Sequence, residues 1–148
     1  MLNRRRFVGG LSAAAFAGFS RSARSARLET IGLQLYTVRR DLERDFEGTL
    51  AQVAKVGFRE VGARRALRAH PQGRSRVTGA PLVHVKDMDA TPKKYFTEVG
   101  KGVVDFRRVF AQSSLAGIRH YFVEQDETKG SAIDSARVSY EYLKSLDF

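Results

Sequence analysis

ETIGLQLYTVRRDLERDFEGTLAQVAKVGFREVGA, Glu29 to Ala63, decides the fold. Its opening alternates, with Ile31, Leu33, Leu35 and Thr37 set against Gln34, Tyr36 and Val38, the period of two that marks a strand over residues 29–40. The period then lengthens. Phe46, Leu50, Val53 and Ala54 fall at i, i+4, i+7 and i+8, which predicts a helix with one buried face. Gly57 stands where a helix ends on a positive φ, and FREVGA (Phe58 to Ala63) reads as a second short strand. A strand, a helix and a strand joined by connections this short form a βαβ unit, because the helix carries the chain back to the end from which it started. The two strands are therefore expected to be parallel.

Working outward, the second half repeats this rhythm. PLVHVKDMD (Pro81 to Asp89) is a strand. VGKGVVDF leads to a helix capped at its start by Asp105 and ended by Gly117. IRHYFVEQDE is a further strand, and residues 131–146 make a helix with Ile133, Ala136, Tyr140 and Leu143 on its buried face. The layout is α/β, with about four parallel strands alternating with helices. Residues 64–80, RRALRAHPQGRSRVTGA from Arg64, break the pattern with five Arg, a Pro and two Gly, and read as an irregular linker or junction.

The net charge of +10 raises the question of a nucleic-acid partner, and its distribution answers it. Residues 1–27 hold six Arg and no acid, and residues 63–80 five Arg and no acid. Residues 28–62 are close to neutral and residues 81–148 carry as many acids as bases, so no basic footprint lies on the folded parts and no nucleic-acid partner is expected. The chain has no Cys, which excludes disulfides, thiolate metal sites and cysteine nucleophiles.

The N-terminus reads as an export signal. NRRRFVGGLSAAAFAGF (Asn3 to Phe19) joins a basic start to thirteen mostly apolar and small residues, fewer than the roughly 20 needed to span a bilayer. Paired Arg with Phe close behind resembles the twin-arginine signal, a receptor-read address and not an anchor. Ala23-Arg24-Ser25 supplies small residues at a spacing that a signal peptidase reads. A periplasmic or exported protein without a stable membrane anchor is expected, with a leader over residues 1–27.

PLVHVKDMD also poses a chemical question. Leu82, Val83 and Val85 suit a buried strand, yet His84, Lys86 and Asp87 are threaded among them. Burying three such groups unpaired costs on the order of several kcal/mol. In parallel sheets functional groups gather at the C-terminal strand ends, where His84, Lys86 and Asp87 end one strand and Glu124, Gln125 and Asp126 the next. Alternation sets Leu82, His84 and Lys86 on one face, and His120, Phe122 and Glu124 on one face of the neighbouring strand. If those faces meet, an imidazole and a carboxylate converge as the start of a divalent-metal site. The alternatives are a hydrogen-bonded structural His and a solvated acidic loop. Gly100-Lys101-Gly102 offers free N–H groups to a phosphate, or else is simply a turn before the helix that Asp105 caps.

Taken together, IGLQLYTVRRDLERDFEGTLAQVAKVGFREV, PLVHVKDMD, EVGKGVVDF and HYFVEQDE followed by SYEYLKSL resemble sugar phosphate isomerases/epimerases of the xylose-isomerase-like TIM-barrel family. The likeness covers residues 28–63 as a first βαβ unit and 81–148 as the last two β/α units. It passes straight from the second strand to the seventh, so the implied fold is an incomplete (β/α) TIM barrel. The resemblance implies metal-dependent isomerisation or epimerisation of a sugar or sugar-phosphate-like molecule by proton transfer. It implies one divalent ion (Mn, Mg, Zn or Co) held by Glu, Asp, His and Glu. His84 matches the His, and Glu124 matches the last Glu, which doubles as the catalytic base; Lys86, Gln34 and Tyr36 would face substrate. The strands that bring the other Glu and the Asp have no counterpart, and Gly62 stands where members often carry Glu. Two alternatives accompany this reading: a non-enzymatic exported module that binds a small polar ligand, and a half-barrel active only as a homo-oligomer.

Overall fold

A computed structural model describes residues 26–63 and 81–148. The expected leader, apart from Ala26 and Arg27, and the expected junction at 64–80 lie outside the described residues. In chain order the elements are β1 (Gly32–Gln34), α1 (Arg39–Arg44), α2 (Phe46–Val56), β2 (Glu60–Gly62), β3 (Leu82–Val85), β4 (Asp87–Met88), β5 (Phe96–Thr97), α3 (Phe106–Phe110), α4 (Ser113–Ala116), β6 (His120–Val123) and α5 (Ala132–Ser145).

Four strands form one parallel sheet in the order β2-β1-β6-β3. Its register writes the core in rows. Glu60, Gly32, Phe122 and His84 lie side by side, and Val61, Leu33, Val123 and Val85 form the next row. Successive side chains along a strand point to opposite faces, so the second row projects opposite to the first. Leu33, Val123 and Val85 from it are buried with Val53 of α2, Phe106 and Phe110 of α3, and Ile133, Ala136 and Leu143 of α5. Full burial of an aliphatic or aromatic side chain of this size stabilises by about 1.5–3 kcal/mol. The helices that build the core thus cover one face of the sheet, and the face carrying Glu60, Phe122 and His84 is the polar one.

The strand expected over residues 29–40 is shorter, and the reason is visible at its end. After Gln34 the chain tightens into a 3-10 turn, Leu35–Val38. Thr37 accepts a hydrogen bond from the backbone N–H of Gln125 at 3.1 Å, and Arg39 donates to the Tyr36 carbonyl at 2.9 Å and the Asp126 carbonyl at 2.8 Å. These contacts hold the turn across the end of β6, where an extended strand would run past the sheet.

The helix expected after it is two. Asp45 adopts an extended backbone and its carboxylate accepts from the N–H of Gly48 at 2.9 Å, a cap that starts a new helix. That restart shifts the buried face to Thr49 and Val53, leaving Phe46 58% exposed. Gly57 ends α2 at φ 124°, and a side chain there would meet the Tyr140 ring, so both backbone and space demand glycine. The second expected helix is likewise divided into α3 and α4, with Asp105 capping its start and Gly117 its end at φ 71°. Ser131 caps α5. The antiparallel pair β4–β5 was not legible in the sequence pattern.

Candidate functional site

The polar face is assembled by the pleat. In the parallel register His84 sits beside Phe122, so Glu124, two residues on, shares the face one step nearer the strand ends. His84 Nδ1 and Glu124 Oε2 are 2.6 Å apart, the imidazole N–H donating to the carboxylate. Lys86 Nζ lies 3.2 Å from the same oxygen and donates at 3.0 Å to each oxygen of Asp126. Phe96 of β5 covers the ammonium from 5.3 Å. Glu124 is 5% exposed, so its carboxylate requires compensation, and two cationic or cation-forming side chains provide it.

The same neighbours set the protonation of Lys86. Burial works to lower its pKa, but the hydrogen bonds and charges of Asp126 and Glu124 outweigh that and hold it above the ordinary lysine value. Lys86 is therefore a fixed ammonium at neutral pH, with a phenyl ring over it.

Gln34 belongs to this face as well. It is 2% exposed, and its Oε1 has no hydrogen-bond partner among the described residues. A Cβ on Gly62 would lie 2.3 Å from that oxygen, so the glycine makes room for the amide. Tyr36 stands on the 3-10 turn at the mouth, its ring stacked under the Arg39 guanidinium at 4.2 Å. Beside it a cavity of about 490 Å³ is lined by Thr37, Arg39, Arg40, Asp126 and Glu127 among others. At the opposite end of the face His120 pairs with Glu60 at 3.0 Å.

The structure thus brings His84, Lys86 and Glu124 into direct contact. Asp126 joins them as a fourth member, legible in the sequence only as the next same-face position after Glu124. Asp87 does something different. Its carboxylate, 2% exposed, accepts from the backbone N–H groups of Met88 at 2.8 Å, Gly100 at 3.0 Å, Gly102 at 3.1 Å and Val104 at 3.2 Å. Of the N–H groups that would have cradled a phosphate, those of Gly100 and Gly102 are spent on Asp87 and that of Lys101 on the Glu98 carbonyl. That segment is a turn organised from within.

Among the described residues no group of three or more His, Cys, Asp or Glu converges on a metal position, and no helix is long and apolar enough to cross a membrane. These features define an α/β protein with a parallel sheet, helices packed on one face and a charged cluster at the strand ends of the other. Comparison with family models, with curated proteins and with solved structures returns no match for this chain.

Proposed function

We propose that this chain is a sugar phosphate isomerase/epimerase-like protein of the xylose-isomerase-like barrel lineage, with its four parallel strands forming an arc of that barrel. The observation that carries the reading is the 2.6 Å contact between His84 and Glu124 at neighbouring C-terminal strand ends, on the face opposite the core-building helices. Two features support it. The strand order β2-β1-β6-β3 puts the first strand beside the last, as closure of a barrel requires. Core-building helices lie on one face, whereas a doubly wound sheet carries them on both.

The donor chemistry fits half of a four-ligand divalent-ion shell: one imidazole nitrogen from His84 and one carboxylate oxygen from Glu124. A bound Mn, Mg, Zn or Co ion would polarise a substrate carbonyl. The chain's own residues do the rest. Glu124, nearly buried, takes and returns the proton beside that carbonyl. Lys86, held protonated, donates to a substrate oxygen, and Tyr36 and Gln34 position a polyol at the mouth.

Export belongs to the same proposal. The Ala26 N–H donates to the Phe148 carbonyl at 2.8 Å and Arg27 pairs with Asp147, so cleavage after Ser25 would leave these first contacts of the fold intact.

The test is a melting-temperature titration of the purified chain with Mn²⁺ and with Zn²⁺, beside His84→Ala. The wild type is expected to rise in melting temperature and the variant not to. Absence of a shift in the wild type, or an equal shift in the variant, overturns the metal site. Retained binding without turnover of any aldose, ketose or their phosphates would favour a ligand-binding module, since only two of four expected ligands have counterparts.

A further inference from the structure

The sheet ends among the described residues in two unpaired edges, β2 on one side and β3 on the other. Rows of free N–H and C=O groups on an edge strand are a template for pairing with another chain. Because all four strands are parallel, both edges run in the same direction. A two-fold axis along the strands, over the polar face, then sets β3 of one copy beside β2 of a second, and the reverse, with parallel pairing at both seams. The product has eight strands, helices outside and the polar faces turned inward. A two-fold perpendicular to the strands would reverse their direction and give antiparallel seams.

The side chains at the two edges agree with this seam. On β2, Val61 projects to the helix side and is 51% exposed. Val83 of β3 projects to the same side, half-buried against the core. Juxtaposed edges place valine near valine on the outer surface. On the inner surface Glu60 lies on one edge, while His84 and Lys86 lie on the other. An acid on one edge therefore faces bases on its complement, and identical edges (β2 on β2) would oppose like charges.

We propose that two copies of this chain pair β2 to β3 and β3 to β2 into a closed eight-stranded barrel. The lumen then holds two His84–Lys86–Glu124 clusters on facing walls, and each polar face is enclosed by the other copy. The inference rests on the barrel-arc reading and not on metal binding or turnover.

Light scattering on the full chain gives the first test, with a mass of twice 16.5 kDa expected. The chain has no cysteine, so Val61→Cys with Val83→Cys gives a clean probe for a short bis-maleimide. Within one copy β2 and β3 are separated by two strands, about 14 Å at the usual spacing of roughly 4.8 Å, so a link arises only between copies. A cross-linked dimer is expected, and Val61→Lys is expected to yield a folded monomer that melts below the wild-type dimer. A monomeric wild type overturns the proposal. So does a dimer that the Cys pair fails to link, or one that a folded Val61→Lys leaves intact. If Val61→Lys does not fold, the cross-link decides. A monomer that still binds Mn²⁺ would overturn this dimer and leave the metal site standing.

Discussion

Asp87 and Glu124 are both carboxylates almost withdrawn from water, at the ends of adjacent strands, and they are held in opposite ways. Asp87 accepts from four backbone N–H groups of residues 88–104. Glu124 is held by two side chains, His84 and Lys86. Backbone donors are fixed by the path of the chain, so Asp87 has no partner that a ligand could replace. Side-chain donors can rotate away or be displaced, so Glu124 can exchange its partners for a substrate or an ion. One carboxylate builds the loop and the other is available to chemistry.

Removing Asp87 should give the largest effect. Asp87→Ala strands four donors and is expected to cost about 3–5 kcal/mol in urea denaturation, since hydrogen bonds to a charged acceptor contribute about 1.5–3 kcal/mol each and do not add fully. A loss below about 1 kcal/mol would break the contrast. Glu124→Gln should cost far less, about 1 kcal/mol, because Lys86 keeps Asp126 and His84 turns to water. The same variant should abolish any Mn²⁺-dependent rise in melting temperature, a result that Asp87→Asn, where it folds, should not reproduce.

Two smaller effects follow the pH axis. The folded pKa of Lys86 is raised, so its contribution is fully present below the ordinary lysine range and is lost as pH rises through the folded value. Melting in alkaline buffer should therefore fall less steeply for Lys86→Met than for the wild type. Glu98 is the converse case. Burial works to raise its pKa, but its own backbone N–H and the hydroxyls of Ser135 and Thr97 bring it below the ordinary value. Its stabilisation is present above the ordinary glutamate range and lost as pH falls through the folded value. Glu98→Gln should flatten the acid limb of a melting-temperature profile slightly, and an unchanged limb would remove Glu98 from the acid response.

Much of this is legible in the residues themselves. Asp105, Gly117, Ser131 and Gly57 mark helix ends with their own side chains or their lack of one, a local signal that needs no tertiary partner. Asp45 carries the same kind of signal, but it was hidden inside a helical period that continues across it. Tyr36, Thr37 and Val38 alternate like a strand, yet Thr37 and Arg39 bond to residues near 125, about ninety positions away. No pattern within twelve residues can report that. The role of Asp87 was illegible for a related reason, since three of its four donors lie 13 to 17 residues downstream in a loop without periodicity.

By itself the sequence determined the alternation of strands and helices, the parallel direction of the strands, and which residues share a face. These follow from periods of 2 and 3.6 and from short connections, which are properties of the local backbone. Only the tertiary structure decided that β6 lies between β1 and β3, because strand order depends on burial summed over the whole core. That one choice sets His84 against Glu124 and Lys86 against Asp126, and gives the two acids their partners.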